Sequence, residues 1–305
     1  MKVLFIGASQ FGLRCLQELN NFTNTSIDLV GVVTAPRNFS ISYRPQGVVN
    51  FLHADVRDYC ESLNIPYATI LHGMNDEDLF CKISSLKPDI FLVVGWYHMI
   101  PKKWMELAPA YGLHASLLPD YCGGAPLVWS IINGENETGI TFFKFDSGID
   151  SGPIAGQVST PIFETDTIAT LYERIEELGL DLIRNQLPLL ANGSAKFYKQ
   201  DESKRRIFPQ RSPEDGLIDW TMSAQEIYNF IRAQTRPYPG AFTYINGKKT
   251  TIWSSVISKE SFVKYKPGEI ILVESGISVV CGDAKTLTST DFSGNAGALY
   301  GHNCR

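Results

Sequence analysis

Short apolar runs alternate with amphipathic stretches along the first part of the chain. Residues 3–6, 27–33, 66–70 and 89–94 are apolar runs of strand length, and residues 89–94 are apolar almost throughout. Such a continuous run is typical of a parallel strand that is buried on both faces. Helical spacing of apolar residues separates these runs, at 13–19, 55–63, 76–86 and 101–107. This order predicts a doubly wound α/β sheet.

The pattern changes after residue 138. Residues 139–145 and 154–163 are strand-like and flank the loop 146–152. A long amphipathic helix is predicted after Thr165, with four apolar residues on one face: Leu171, Ile175, Leu178 and Leu182. Pro188 and the pair Asn192–Gly193 are expected to end this helix.

A polar stretch, residues 199–206, is expected to link two domains, which we place at residues 1–200 and 201–305. Beyond it, a helix is predicted at 224–233, followed by strands at 242–245, 250–255, 269–273 and 277–280. Asn246–Gly247 between the first two strands is a strong hairpin signal. The second domain is therefore predicted to be small and β-rich, and the Gly- and Asn-rich tail 295–305 is expected to fray.

Composition limits the functional classes. The 305 residues suit two domains, and a net charge of −5 argues against coating nucleic acid broadly. No apolar run approaches the span of about 18 residues that a membrane helix needs. The first residues lack the small-residue cleavage site of a signal peptide, and the six cysteines are scattered without a CxxC pair. These features predict a cytoplasmic protein with reduced thiols.

Two polar residues stand out as an acid–base pair. His114 lies in Y-G-L-H-A-S-L-L-P-D-Y, where the chain leaves the predicted sheet, and Asp150 lies in the loop D-S-G-I-D-S-G. Ligands of open α/β sheets bind beyond the carboxyl ends of the strands, so we expect both residues on loops at one end of the sheet. A carboxylate can fix the tautomer of an imidazole and make it more basic. A structural histidine and a plain turn are the alternatives.

Other motifs are weaker. G-A-S-Q-F-G at 7–12 follows a strand and opens a helix, where phosphate can bind, but it matches neither GxGxxG nor a P-loop. We therefore expect these glycines only to turn the chain. His53, His98 and His302 do not share metal-ligand spacing with His114, so no metal site is predicted. The chain lacks G-x-S-x-G, which excludes an α/β-hydrolase, and the cluster K-R-R at 204–206 is expected to be a solvated face.

The run H-A-S-L-L-P, followed by G-G-A-P and D-S-G-I-D-S-G, resembles the formyltetrahydrofolate-dependent formyltransferases. Farther along, S-P-E-D-G-L-I-D-W and R-A-x-T-R-P-Y-P-G-A-F are similar to the C-terminal domain that methionyl-tRNA and amino-arabinose formyltransferases share. The resemblance implies a Rossmann-like formyltransferase domain followed by a small β-rich, OB-like C-terminal domain. It also implies 10-formyltetrahydrofolate as the formyl donor and an amine as the acceptor, with no metal.

Carried over by position, the resemblance makes His114 the catalytic histidine and Asp150 its carboxylate. It places eleven residues around the donor: Trp96, Tyr97, His98, Ser116, Leu118, Pro119, Gly124, Asp146, Ser147, Gly148 and Ile149. One position departs from the family, whose motif is Asn-x-His, because this chain has Gly112 in place of the asparagine.

In the family that asparagine helps to stabilise the oxyanion, and losing one such donor typically costs about 2.7–4 kcal/mol. Three explanations stay open for Gly112: a water or a backbone N–H substitutes, the enzyme is weak or altered, or the chemistry differs.

For the acceptor we favour a small molecule, an amino-sugar nucleotide. The methionyl-tRNA formyltransferases resemble one another in a run of basic residues after the second strand, whereas here residues 35–47 contain only two arginines. Formylation of methionyl-tRNA is the first alternative. A folate- or nucleotide-binding homologue with weakened catalysis is the second. No membrane partner is expected, and the oligomeric state, a dimer included, stays open.

Overall fold

The computed structural model describes residues 1–22, 26–41, 44–71, 73–273 and 276–293. These residues form two compact units. The first unit comprises Met1–Cys122, Gly139–Ser159 and Arg174–Arg206, and the second comprises the remaining segments. Within the described ranges, no helix is both long enough and apolar enough to cross a membrane. The predicted domain boundary between residues 200 and 201 stays a prediction.

The elements up to the end of the first unit's long helix are β1 (Lys2–Ile6), α1 (Gln10–Asn20), β2 (Asp28–Thr34), β3 (Asn38–Ile41), β4 (Arg44–Val49), α2 (Arg57–Ser62), β5 (Tyr67–Thr69), α3 (Glu77–Ser85), β6 (Ile90–Val93), α4 (Lys102–Leu107), β7 (Ala110–His114), β8 (Cys122–Gly123), α5 (Pro126–Ile132), β9 (Glu137–Lys144), β10 (Ile154–Pro161) and α6 (Ile168–Ala191). The later elements are β11 (Ile207–Phe208), α7 (Ala224–Gln234), β12 (Ala241–Ile245), β13 (Lys248–Ser261), β14 (Ile270–Val273), β15 (Gly276–Val280) and β16 (Lys285–Ser293).

A seven-stranded sheet organises the first unit. Its strand order is β10-β9-β7-β6-β1-β2-β5. The pairs β1–β2, β1–β6, β2–β5 and β6–β7 are parallel, whereas β7 and β9 are antiparallel. All four residues of β6 are buried, as a central parallel strand requires. The predicted α/β class is confirmed. β7 was not predicted, because its five residues A-Y-G-L-H carry too few apolar side chains for a strand signal.

Packing explains the first glycine-rich turn. The Oγ of Ser9 caps α1 by accepting a hydrogen bond from the Gly12 N–H at 3.0 Å. A Cβ on Gly7 would lie 2.5 Å from the Val94 carbonyl oxygen, so only glycine lets the turn approach the end of β6. The turn thus allows close packing of α1 on the sheet.

The long helix differs from its prediction at one point. α6 does not end at Pro188 but continues through it to Ala191. Proline lacks the N–H of one helical hydrogen bond, but its carbonyl still accepts from the N–H of Asn192 at 3.1 Å. Since Pro188 lies in the last turn, the helix loses one bond and ends where Asn192 and Gly193 take over.

The second unit contains a five-stranded sheet of order β12-β13-β16-β15-β14, in which the neighbouring strands are antiparallel. α7 packs Ala224, Ile227 and Ile231 into the core of this unit. This confirms a β-rich C-terminal domain. β16 was missed because its sequence K-T-L-T-S-T-D-F-S is mostly polar. Three of its polar residues, Thr286, Thr288 and Ser289, are nevertheless buried, and Thr288 shares a hydrogen bond of 2.6 Å with Ser278 of β15. The predicted tail 295–305 lies outside the described residues.

Candidate functional site

His114 is the last residue of β7, and a backbone carbonyl fixes its ring. Its Nε2 lies 2.7 Å from the carbonyl oxygen of Tyr121. A carbonyl only accepts hydrogen bonds, so Nε2 carries a proton, and in the neutral ring Nδ1 then keeps the free lone pair. Tyr121 has a left-handed backbone conformation, at φ 53°, and its carbonyl points at the imidazole in this conformation. The basic atom of the ring is therefore Nδ1.

Asp150 faces that basic atom. Its Oδ2 lies 3.6 Å from Nδ1 of His114, which is an ion-pair distance and longer than a direct hydrogen bond. The side chains of His114 and Asp150 are only 11% and 22% exposed. Asp150 also has a left-handed backbone, at φ 51°, a strained conformation for a residue other than glycine. The structure thus brings the two predicted residues together in a largely buried setting, where charges interact strongly.

The route by which Asp150 reaches His114 follows from the strand pairing. β9 runs antiparallel to β7 and pairs Thr141 with His114 and Lys144 with Tyr111. The loop after β9 therefore leaves beside the amino end of β7, and Asp150 returns to the carboxyl end, where His114 lies. Gly112 and His114 are two residues apart in β7 and therefore lie on the same face of the strand. The loop folds back along this face until Asp150 reaches His114.

Gly112 has no room for a side chain. A Cβ there would lie 2.6 Å from the carbonyl oxygen of Val93 on the neighbouring strand, and 2.6 and 2.8 Å from two ring atoms of Phe145. The Phe145 ring stacks on Phe143, with ring centroids 4.9 Å apart. The volume beside His114 that an asparagine would need is therefore filled by an aromatic ring. An asparagine would therefore require Phe145 and the neighbouring strand to move.

The segment after β6 and one residue of β3 together form a group of aromatic rings, which we call the aromatic patch. It consists of Trp96, Tyr97 and His98 together with Phe39 of β3. The ring of Phe39 lies 5.4 Å from Tyr97 and 5.1 Å from His98, and Trp96 lies 5.5 Å from His98. Nε2 of His98 is buried, and no group in the described part of the chain bonds to it. Burial lowers the pKa of His98 below its ordinary 6.5, so the ring is neutral at pH 7.

The aromatic patch suits a flat heteroaromatic ligand. Its rings supply a stacking surface, and the neutral His98 offers a polar atom that needs a partner. A pterin ring carries both an extended π-face and hydrogen-bonding edges. The residues present therefore fit the donor that the sequence implies. Phe39 was missed by the sequence analysis, because nothing in its local pattern connects it with a loop that lies almost sixty positions later.

The turn after His114 is held by its own hydrogen bonds. Ser116 is fully buried, and its Oγ donates to the Asp120 carbonyl at 2.7 Å. The Leu118 carbonyl accepts from Nε2 of Gln157 at 3.0 Å, and Leu118 is 3% exposed. Pro119 is partly exposed and accepts through its carbonyl from the Cys122 thiol at 3.2 Å. The predicted contact of this turn with the donor stays a prediction, and its buried side chains shape the turn.

The loop that carries Asp150 is exposed along its first part. Asp146, Ser147, Gly148 and Ile149 are all exposed, and Oδ1 of Asp146 accepts from the Gly148 N–H at 2.9 Å. Gly124, also predicted to flank the donor, belongs to the second unit. A Cβ there would lie 2.4 Å from the backbone nitrogen of Gln210. The roles of these residues stay predictions.

Cys122 lies beside the pair, with its Sγ 4.0 Å from the Asp150 carbonyl oxygen. The residue is fully buried, and burial raises the pKa of its thiol to about 11. A thiol with so high a pKa stays protonated at neutral pH and is a poor nucleophile. Cys122 therefore packs against the loop and does not supply a reactive thiolate.

This gives a chemical prediction. When the native protein is treated with iodoacetamide at pH 8, the exposed Cys81 should be alkylated and Cys122 should not, because Cys122 is both inaccessible and protonated below its raised pKa. Peptide mass spectrometry after digestion measures both positions. Rapid labelling of Cys122 without unfolding would contradict the burial seen beside Asp150.

A metal centre is not evident in the described residues, which contain no group of three or more His, Cys, Asp or Glu side chains placed to hold an ion. What the site offers is one imidazole with a fixed tautomer and one carboxylate facing its basic nitrogen. Such an arrangement can accept a proton from a nucleophile and return it to a leaving group.

Comparison with known proteins agrees with this chemistry. Residues 1–187 match the family described as "Formyl transferase", and residues 211–290 match "Formyl transferase, C-terminal domain". The chain is 34% identical to a methionyl-tRNA formyltransferase of Alkaliphilus oremlandii over 96% of its length and 93% of the relative's. It is 35% identical to one of Citrifermentans bemidjiense over 92% of its length and 86% of that protein's.

Among solved structures, an N-formyltransferase of Helicobacter canadensis, crystallised with folinic acid and dTDP-3-aminofucose, has a similar fold. Its TM-score is 0.69 at 20% identity, with 95% of this chain and 98% of that chain covered. At this identity the likeness concerns the fold alone.

Proposed function

Because the chain belongs to the formyltransferase family, we propose that this formyltransferase moves the formyl group of 10-formyltetrahydrofolate to the amine of an amino-sugar nucleotide. The observation that carries the reaction is the His114–Asp150 pair with its carbonyl-fixed tautomer. The observation that carries the acceptor is the sequence of the β3–β4 segment, which has only two basic residues between positions 35 and 49.

In the proposed reaction, His114 accepts a proton through Nδ1 from the attacking amine. Its Nε2–H is already committed to the Tyr121 carbonyl, so Nδ1 is the nitrogen left to act as a base. Asp150, at 3.6 Å, stabilises the positive charge that the ring then acquires. The ring afterwards delivers the proton to the leaving nitrogen. One pair thus serves as base and then as acid.

The donor supplies the formyl group when it is bound. We place its heteroaromatic ring at the aromatic patch, where His98 offers an unsatisfied nitrogen, and we assign the exposed part of the loop from Asp146 to Ile149 to its edge. Structures of similar fold bind folates: the Helicobacter canadensis enzyme was crystallised with folinic acid.

The hairpin formed by β3 and β4 favours a small acceptor. It follows β2, and its residues Asn38–Ile41 pair with Arg44–Val49. Only Arg37 and Arg44 provide positive charge between residues 35 and 49, and the protein carries a net charge of −5. A protein binds a tRNA acceptor through contacts with many phosphates, and these contacts require clustered Lys and Arg. An amino-sugar nucleotide needs few such contacts.

A second candidate is formylation of methionyl-tRNA. It is favoured by the relatives at 34% and 35% identity, which are methionyl-tRNA formyltransferases over nearly the whole chain. The two candidates share the donor, the catalytic pair and the chemistry. They differ in how many phosphates of the acceptor the protein contacts.

Salt therefore separates the two acceptors. Between about 50 and 200 mM salt, a protein with several phosphate contacts loses about 10³- to 10⁵-fold in affinity for nucleic acid. We expect the KM for the true acceptor to change only slightly over this range, because a nucleotide-sugar makes few phosphate contacts. Steady-state rates at fixed donor concentration measure this KM, with the KM for the donor as the internal control. A steep rise of the acceptor KM would favour methionyl-tRNA.

A further inference from the structure

The polar segment 199–206 contacts the loop of Asp150 directly and reaches His114 through Tyr121. We propose that Gln200, Arg205 and Arg206 are positioning residues that set the geometry of His114 and Asp150. All of these residues belong to the first unit. The inference rests on the proposed function of that pair, and it assigns a role to a segment that the sequence alone predicts to be a solvated linker.

Gln200 holds the loop that carries Asp150. Its carboxamide Nε2 donates to the carbonyl oxygens of Asp150 at 2.8 Å and of Gly152 at 2.7 Å. Both N–H groups of the amide are thus used on the loop, directly around the strained backbone of Asp150. Gln200 is 5% exposed, so water does not compete for these bonds. The side chain fixes the backbone from which the Asp150 carboxylate projects.

The cost of this contact indicates that it serves more than packing. Within the described residues, the Oε1 of Gln200 is buried and has no hydrogen-bond partner. An unsatisfied buried acceptor is unfavourable, and an apolar side chain of similar size would avoid it. The chain therefore carries a polar group whose benefit lies in what its N–H groups hold in place.

Arg205 contacts the same loop at the residue before Asp150. Its Nη2 donates to the carbonyl oxygen of Ile149, directly before Asp150. The side chain is 14% exposed, so the expectation of a solvated cluster is wrong for this residue, although Lys204 is 76% exposed as expected. Gln200 and Arg205 together bind three carbonyls at positions 149, 150 and 152. This fixes the loop on both sides of the catalytic carboxylate.

Arg206 acts on the other member of the pair, through Tyr121. Its guanidinium donates to both carboxylate oxygens of Asp120 at 2.6 Å, and it lies over the Tyr121 ring, 4.8 Å from the centroid. The Arg206 carbonyl also accepts from the N–H of Cys122 at 2.9 Å. Tyr121 is thus fixed by contacts at its ring and at both neighbours. Since the Tyr121 carbonyl sets the tautomer of His114, Arg206 orients the imidazole indirectly.

A double-mutant cycle tests the role of Gln200. Gln200→Leu keeps the volume and removes the donors, and it should lower kcat by about 100-fold, since a displacement of about 1 Å at a catalytic group has that effect. In an Asp150→Asn background, the same substitution should lower kcat by no more than about 2-fold further, because Gln200 acts through Asp150. Gln17→Leu, an exposed glutamine of α1, is the control and should leave kcat unchanged.

The second variant is Arg206→Met, which should lower kcat, with Lys204→Met as its control. In a His114→Ala background, Arg206→Met should lower kcat no further, because Arg206 acts through His114. If a substitution lowered kcat equally in the wild-type protein and in the Asp150→Asn or His114→Ala background, its role would be merely structural and the inference would be overturned. Wild-type kcat in Gln200→Leu and Arg206→Met would overturn it as well. If Asp150→Asn itself retained the wild-type rate, the proposed function would fail first. If Asp150→Asn were impaired and the 200–206 variants were not, only this inference would fail.

Discussion

His114→Ala should lower kcat for formyl transfer by about 10²- to 10⁴-fold, the range that a positioned acid–base group contributes. The expectation follows from the geometry, in which Nε2 is bound to the Tyr121 carbonyl at 2.7 Å and Nδ1 is left as the base. Alanine leaves no proton acceptor at this place. Rapid-quench measurement of tetrahydrofolate formation, with saturating acceptor, reports the chemical step directly.

Asp150→Asn should follow the same direction, because an amide cannot stabilise the protonated ring 3.6 Å away. The donor KM should change less than kcat in both variants, since the pair acts on the reacting atoms. Asp181→Asn, an exposed carboxylate of α6, is the matched control and should behave as wild type. A folded His114→Ala or Asp150→Asn protein with full activity would remove the proposed mechanism.

Gly112→Asn should destabilise the protein and lower its activity, although it restores the family's asparagine. The new side chain would meet the Val93 carbonyl oxygen and the Phe145 ring, both closer to the Cβ than atoms pack. Overpacking of this kind typically costs about 1–3 kcal/mol in the free energy of unfolding. Because the first contact is with backbone, rearranging a side chain cannot relieve it fully. The melting temperature and the turnover number, measured on the same preparation, give both effects.

The double variant Gly112→Asn with Phe145→Ala distinguishes the causes. It removes the ring but keeps the Val93 contact, so we expect stability to recover only in part and turnover to rise above that of Gly112→Asn alone. Phe145→Ala alone is the control for loss of the ring's packing on Phe143. A stable Gly112→Asn protein with a raised turnover number would show that the Phe145 ring yields easily, and would contradict the packing described at this site.

Hydrophobic periodicity predicted most of the first unit. β1, β6 and α1 follow from apolar runs and from the helical spacing of apolar residues, which are local signals. β7 and β16 could not be found in this way, because A-Y-G-L-H and K-T-L-T-S-T-D-F-S lack a run of apolar residues, and those of their residues that are buried become so only through neighbouring strands. The continuation of α6 through Pro188 depends on the position of the proline in the last turn, which the sequence leaves open.

The proximity of His114 and Asp150 was predictable from their motifs, but their surroundings were not. The carbonyl of Tyr121 is a backbone group, and every residue has one, so no side-chain pattern can indicate it. The sequence does not indicate that the ring of Phe145 lies against Gly112; this contact is seen only in the structure. The antiparallel pairing of β9 with β7, which brings Asp150 across the face of the sheet, depends on long-range register. Such features follow from the assembled sheet alone.

The most direct test is whether the purified protein converts 10-formyltetrahydrofolate to tetrahydrofolate in an acceptor-dependent way. The acceptors to compare are 3-amino and 4-amino sugar nucleotides and charged initiator tRNA, with mass spectrometry of each product. We predict turnover with an amino-sugar nucleotide, whose amine gains one formyl group. Turnover with the charged tRNA alone would contradict the proposed acceptor, and no release of tetrahydrofolate with any amine would contradict the proposed reaction itself.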